Sequence, residues 1–255
     1  MEVSGRVVIV TGGASGIGAA LCRAFAAAGA RAVVVADVNE EAAVAVANEV
    51  GGIAVVTDVT READVAALVA RSVALHGTVD IYCSNAGIAV GGGEEAPDRE
   101  WQRSWEVHVM AHVYAARSVL PAMLERSDGY FVGTASAAAL LNHIASAPYA
   151  VSKAATLSFL EWLAITYGSR GVRVSALCPQ GVRTPMLAAA GERDFLAEGA
   201  LEPAVVAAAV LDSVREERFL ILPHPEVAEY FARKAGDYDR WLRGMHRMRD
   251  RVFAT

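Results

Sequence analysis

Cysteine is scarce in this sequence: Cys22, Cys83 and Cys178 are its only three, widely spaced and in apolar surroundings. That spacing gives neither a disulfide framework nor a zinc site, so reduced core thiols and no bound metal are expected. No block of basic residues occurs in the first 220 positions, and the formal net charge is −6. Such a balance argues against nucleic acid as the main partner. No apolar run is long enough to span a bilayer, and no signal-peptide pattern is present; the expectation is a cytoplasmic protein with no membrane partner. Linkers, internal repeats and low-complexity tracts are also missing. The C-terminal stretch does carry Arg233, Lys234, Arg240, Arg243, Arg247, Arg249 and Arg251, but Asp237, Asp239 and Asp250 interleave with them. It reads as a solvated helix face.

What the chain does have is regular alternation. Continuous apolar runs at 7–10 and 32–36 suit strands buried on both faces, and further strands are read at 53–56, 79–83, from 130–132, at 172–177 and at 219–222. Helical patterns lie between them, at about 17–28, from Asn39 onward, and at 61–75, 100–124, 149–168 and 203–217. Strands alternating with helices predict an α/β fold: a Rossmann-like, doubly wound, parallel seven-stranded sheet with helices on both faces. A chain of 255 residues fits one such domain, 1–255, with 225–255 a helical extension. The segment from about 184 to 201, with Gly191 and Gly199, is the least regular. It lies past the C-terminal end of a strand, where ligands bind in such sheets.

The turn after the first strand reads Thr11-Gly12-Gly13-Ala14-Ser15-Gly16-Ile17-Gly18. Strand, glycine turn and helix together suit a dinucleotide pyrophosphate. Glycines let the backbone approach it, and the helix N-terminus offers free N–H groups and partial positive charge. The spacing Gly12-x3-Gly16-x-Gly18 differs from the common GxGxxG. Asp37 closes the second strand, nineteen residues after Gly18, where a carboxylate takes both hydroxyls of the adenosine ribose. It would repel a 2′-phosphate, and no Arg or Lys nearby offsets this, so NAD is favoured over NADP. Asp37 also suits capping the helix that begins near Asn39.

Tyr149 and Lys153 are i and i+4 on a predicted helix and share a face. A free phenol with a pKa near ~10 is a poor base at neutral pH, and an adjacent ammonium lowers that value. Tyr149 then takes a proton from an alcohol or gives one to a carbonyl. Ser136, after the fifth strand, would bond the substrate oxygen.

These blocks, in this order, resemble the short-chain dehydrogenases/reductases of the compact single-domain kind. The resemblance runs over roughly residues 5–225. It rests on Thr11–Gly18, on Asp58-Val59, on Ser84-Asn85-Ala86-Gly87, on Ser136 with Tyr149-x3-Lys153, and on 179–185, Pro-Gln-Gly-Val-Arg-Thr-Pro. It implies cofactor contacts from Gly12, Ser15, Gly16, Ile17 and Gly18; from Asp37, Asp58 and Val59; from Asn85, Ala86 and Gly87; and from Pro179, Val182 and Thr184. It also implies that Lys153 bonds the nicotinamide ribose beside Tyr149. The family's asparagine in the long helix, linked to a kink and a proton-relay water, is replaced here by His108. That imidazole either takes over a catalytic part or is a satisfied core histidine; His112, one turn on, reads as structural. Gln180, where the family has glycine, either reaches substrate or ties its loop. His143 is a further pocket candidate.

The implied activity is hydride transfer between NAD and a secondary alcohol or ketone. An apolar pocket from 138–144, Pro148, Met186 and Leu187 favours a hydrophobic substrate. The alternatives are an acyl-carrier-protein-type 3-ketoacyl reductase and a non-catalytic NAD-binding regulator. Apolar residues around both long helices (Trp105, Val109, Val113, Ala116, Leu120; Leu157, Phe159, Leu160, Leu163, Ile165) point to a homo-oligomer, four chains by resemblance. Tyr230, Phe231, Tyr238, Trp241 and Met245 of the extension are candidates to cover the cleft.

Overall fold

A computed structural model describes residues 1–190 and 196–254. Its elements follow in the order β1 (Val7–Thr11), α1 (Gly16–Ala27), β2 (Ala32–Asp37), α2 (Glu40–Val50), β3 (Ile53–Val56), α3 (Glu62–His76), β4 (Ile81–Ser84) and α4 (Asp98–Trp105). Then come a π-helical turn (Glu106–Met110), α5 (Ala111–Arg126), β5 (Gly129–Thr134), α6 (Ala137–Leu141), α7 (Ala147–Tyr167), β6 (Val172–Leu177), α8 (Pro185–Ala190), α9 (Pro203–Glu216), β7 (Leu220–Ile221), α10 (Glu226–Gly236) and α11 (Tyr238–Phe253). The seven strands form one parallel sheet in the order β3-β2-β1-β4-β5-β6-β7. Every residue of β1, β4 and β5 is buried, as continuous apolar runs between two helical layers require.

The chain winds one way from β1 to β3 and the other way from β4 to β7. The C-terminal ends of β1 and β4 therefore flank the point where the direction reverses, and a crevice opens there. One core layer sets α3, α5 and α7 against the sheet; the other packs α1, α2 and α9. Gly133 in β5 governs one approach. A Cβ there would lie 2.5 Å from both Leu160 methyl carbons, so the bare glycine lets α7 settle on the sheet.

Several boundaries differ from the sequence reading. Pairing in the fourth strand starts at Ile81, because the Asp80 carboxylate takes the Val7 N–H at 2.8 Å and the chain joins the sheet after it. The helix expected from 149 begins at Ala147, where the Ser146 hydroxyl accepts the Tyr149 N–H. The long helix expected at 100–124 runs from 98 to 126 and contains the π-turn. Within 184–201, α8 is regular, its start held by Thr184 Oγ1 accepting the Leu187 N–H; Gly191 lies outside the described residues. Most apolar residues expected to need a partner chain are buried within this one, including Val109, Ala116, Leu120, Leu157, Leu160 and Leu163. Trp105, Trp162 and Ile165 stay exposed. No described helix is long and apolar enough to cross a membrane.

His112 is fully buried beside Phe131, and neither ring nitrogen has a hydrogen-bond partner among the described residues. Burial, then the Lys153 charge, pulls its pKa down from 6.5 to about 3. Below pH 6.5 the unfolded chain binds a proton that the folded chain refuses until about pH 3, so stability falls as pH drops through that window. His112→Leu removes the penalty. Its stability relative to wild type is expected to improve by about 2 kcal/mol between pH 8 and pH 5, at ~1.4 kcal/mol per pH unit. Urea melts at the two pH values check this; an equal difference at both refutes it.

Candidate active site

A cleft of about 1890 Å³ lies over the C-terminal ends of the strands, and all the site residues expected from the sequence line it. At one end is the glycine turn. Gly12 has φ +64°, and a Cβ on it would meet Ala86 Cα at 2.9 Å; a Cβ on Gly18 would meet Gly12 O at 2.0 Å. Only bare backbone fits so closely. Ser15 makes no side-chain cap bond, which leaves the first-turn N–H groups of α1 open toward the cleft. Thr184, from the segment after β6, packs its methyl 2.9 Å from where a Gly16 Cβ would stand, so Gly16 too must be bare.

Asp37 ends β2 with both carboxylate oxygens engaged: Oδ2 accepts the Ala14 N–H at 3.1 Å and Oδ1 the Asn39 N–H at 3.0 Å. Each oxygen keeps a second lone pair. The side-chain cap of α2 falls to Asn39, not Asp37. Asp58 closes a tight turn by accepting from the Thr60 N–H and hydroxyl, with Val59 beside it in the wall. Asn85 differs from a free ligand. Its amide donates to Thr11 O at 3.1 Å and accepts from Thr134 Oγ1 at 3.1 Å, tying the ends of β1, β4 and β5 together. Ala86 and Gly87 present backbone beside it. An uncapped helix start, a glycine cradle and a carboxylate on the neighbouring strand together fit a dinucleotide.

At the other end, Ser136 follows β5 and caps α6, its Oγ accepting the Ala138 N–H at 3.1 Å. The Ser136 hydroxyl stands near enough to the Tyr149 phenol to pull its pKa down. Lys153 is 3% exposed, and its Nζ donates to Thr134 O at 2.9 Å. Burial brings the Lys153 pKa down from 10.5 to about 8. The expected depression of the Tyr149 pKa by this ammonium is absent. A buried ammonium needs an acceptor, so Nζ turns to Thr134 and lies 5.7 Å from the Tyr149 ring centre. Burial raises the phenol above its usual value, and the Ser136 hydroxyl only partly offsets this.

His108 sits in the π-turn, where the extra residue turns its ring onto α7. Nε2 lies 3.1 Å from both the N–H and the carbonyl oxygen of Ile88, so it accepts from the one or donates to the other according to tautomer. Nδ1 is hydrogen-bonded to Ser152 Oγ at 2.9 Å, and Ser152 Oγ also lies 3.0 Å from Tyr149 O. The Thr156 hydroxyl lies 2.6 Å from His108 O. Burial, then Lys153 and His112, hold the His108 pKa well below 6.5, so the ring is neutral. Its edge meets the Tyr149 ring, centres 5.3 Å apart; His143 meets the same ring at 5.8 Å.

Sequence reasoning missed His224. It is 3% exposed, accepts the Gln180 N–H on Nδ1 at 3.2 Å, and places Nε2 3.1 Å from Gly181 O. One neutral ring therefore clamps the loop carrying Pro179, Gln180 and Val182. The available signal was a histidine between Pro223 and Pro225, just past the last strand. Ser152 and Thr156 were also missed, though they share the face of α7 turned toward the π-turn. In the extension, Tyr230, Trp241 and Met245 line the cleft as expected; Phe231 and Tyr238 do not, and line a separate small hollow beside α7. The basic C-terminal helix is not simply a solvated face, since Arg233, Arg240, Arg247 and Arg251 line the cleft as well.

With these groups in place, the relationships of the chain are plain. The family model for short chain dehydrogenases matches residues 6–194, and the protein belongs to that family as one of its oxidoreductases. A 2,5-dichloro-2,5-cyclohexadiene-1,4-diol dehydrogenase of Sphingobium indicum is 39% identical over 199 residues, covering 76% of this chain and 79% of its own. A 1-deoxy-11-beta-hydroxypentalenate dehydrogenase of Streptomyces exfoliatus is 35% identical over 242 residues, covering 89% and 86%. Among solved structures, a short chain dehydrogenase/reductase from Burkholderia phymatum in complex with NAD superposes with TM-score 0.85 at 28% identity, covering 94% of this chain and 96% of that one.

Proposed function

We propose that this protein is an NAD-dependent dehydrogenase that moves a hydride between the nicotinamide and the carbon of a secondary alcohol or ketone with a largely apolar body. The observation that carries this is the meeting of Ser136, Tyr149 and Lys153 in one cleft with the glycine cradle and Asp37. The relatives' names, a diol dehydrogenase and a hydroxypentalenate dehydrogenase, support alcohol chemistry. NAD would rest its pyrophosphate on Gly12–Gly18, its adenosine ribose on Asp37, and its nicotinamide end between Pro179–Thr184 and Lys153. When bound, it supplies the hydride acceptor or donor.

The chain's own residues handle the oxygen and its proton. Ser136 and Tyr149 hydrogen-bond the substrate oxygen. Tyr149 gives its phenolic proton to a carbonyl, or takes the alcohol proton once ionised. Lys153 supplies positive charge behind it, and His108 holds α7 and the π-turn in register. Both His108 nitrogens are spent on Ile88 and Ser152, so we assign it a positioning role and not proton relay.

Screening NAD-linked oxidation across secondary alcohols, steroids and polyols tests the reading, with absorbance of reduced cofactor as readout. Tight NADH binding without turnover on any of them would overturn it. We also propose a homotetramer, with Trp105, Trp162 and Ile165 covered in the assembly; a monomer by light scattering at micromolar concentration refutes it. For the clamp, His224→Ala is expected to raise the KM for NAD about tenfold, the worth of one or two lost hydrogen bonds, with little change in kcat. His224→Asn, which restores one acceptor, recovers part of the loss. Equal losses in kcat and KM for both variants would mean only general damage.

A further inference from the structure

We infer that the substrate of this cleft carries an anionic group, a carboxylate or phosphate ester, received at the cleft mouth by Arg240 and Arg247 of α11. The inference rests on the reading of this cleft as the substrate cleft of an oxidoreductase. It deepens that reading by adding a charged end to an apolar body.

The first observation is periodicity. Arg240, Gly244, Arg247 and Arg251 are i, i+4, i+7 and i+11 on one helix, and all four line the cleft. Arg243 and Arg249 lie on other faces and do not. The helix thus turns one stripe of guanidinium groups toward the site. The second observation is the glycine within that stripe. Arg247 Nη2 lies 3.9 Å from where a Cβ on Gly244 would stand. Its guanidinium is folded back over bare backbone, one turn toward the start of α11.

The third observation is the absence of a partner. Arg183, Arg117 and Arg233 are each bonded to a carboxylate of this chain. Arg240 and Arg247 have none within 4.0 Å among the described residues. The acids lining the cleft are committed or remote. Asp237 caps α11 by accepting the Arg240 N–H at 2.9 Å, and Glu106 accepts from Gln102. Asp37 and Asp58 stand at the adenosine end, beyond the glycine turn.

Position separates this pair from the dinucleotide. α11 packs on α10, and α10 packs on α6, the short helix capped by Ser136. The arginines therefore approach from the Ser136–Tyr149 side and not from the glycine turn. The same cleft is lined by the apolar side chains of Leu141, Ile144, Met186, Trp241, Met245 and Met248, with Asn142, His143 and Gln180 as polar members. A ligand filling this space has an apolar middle and an anion at the end far from the reacting carbon. Guanidinium forks suit carboxylate and phosphate oxygens for geometric reasons.

The test is a binding measurement that needs no turnover. Octanoate and octanamide, equal in length and different in charge, are titrated calorimetrically into the protein at low salt, with and without saturating NADH. Octanoate is expected to bind at least tenfold more tightly. In the double variant Arg240→Gln, Arg247→Gln the gap is expected to fall below threefold. In the control Arg243→Gln, Arg249→Gln it persists. Equal affinities in the wild type, no binding of either probe at millimolar concentration, or a gap that survives in the double variant each overturns the inference. So does a matching loss of NADH affinity in the double variant, which would assign the guanidinium pair to the cofactor's phosphates. Failure of NADH itself to bind the wild type refutes the dehydrogenase reading instead, and the probe titrations without NADH still decide the anion site.

Discussion

Tyr149→Phe is expected to lower NAD-linked turnover about a thousandfold, within the range a positioned acid/base group supplies, and to leave the dissociation constant of NADH within about twofold. The substitution removes one oxygen and keeps the ring. That ring is held by the edges of His108 and His143, and neither contact involves the hydroxyl. The cap of α7 uses the Tyr149 backbone N–H and Ser146, so the helix start survives too. What is lost is the proton carrier. The pH dependence supplies a second readout. Burial keeps the phenol protonated through neutrality, so carbonyl reduction should be level there, while alcohol oxidation should climb from pH 6 toward pH 8 as the phenolate fraction grows, before the Lys153 ammonium is lost above about 8. The residual activity of the Phe variant should lack that climb. Retention of more than a few per cent of activity would mean that another group moves the proton.

The parts of the fold legible in the sequence are those where one pattern persists over several residues. Val7–Val10 and 32–36 are unbroken apolar runs, rich in β-branched residues, that read as buried strand, and the glycine turn has close-approach chemistry of its own. Elements set by a few residues were not legible. α6 and α8 are too short to show a helical period. The π-turn adds one residue to a helix whose composition stays helical on either side, and only the three-dimensional match of His108 to Ile88 and Ser152 reveals it. β7 pairs over two residues, less than the apolar run suggested.

At the site, residue types were legible and their partners were not. The i, i+4 spacing of Tyr149 and Lys153 places both on one face, yet it cannot show that the ammonium, once buried, must find the Thr134 carbonyl. Likewise His224 acts through backbone groups 44 and 43 residues away, at Gln180 and Gly181. The C-terminal arginines alternate with acids, so composition alone makes them a solvated face. Which stripe meets the cleft is decided by the docking of α10 on α6, a tertiary contact with no local signature.

Wild-type protein is expected to bind NADH about a hundredfold more tightly than NADPH, and Asp37 is the reason. Its carboxylate ends β2 in the cleft wall, where the adenosine ribose would lie. A 2′-phosphate there would face a like charge at ~4 Å, a repulsion of roughly 1 kcal/mol in water and about 4 kcal/mol near a protein surface. No cation among the described residues is placed to relieve it. The described cations lining the cleft are Lys153, Arg103 and the four arginines of α10 and α11, and none comes from β1, β2 or the turns that follow them. The residue after Asp37 is Val38, 66% exposed, where a phosphate-binding site would need a basic side chain. Asp37→Ala removes the repulsion but also frees the Ala14 N–H and so loosens the glycine turn, which lowers affinity for both cofactors. Asp37→Asn separates the two effects. It keeps an oxygen for one backbone N–H and drops the charge, so NADPH should gain while NADH loses no more than about tenfold. Dissociation constants of both reduced cofactors for the three proteins, measured at one ionic strength, decide the matter. Equal affinities in the wild type would mean that the carboxylate braces the turn and does nothing else.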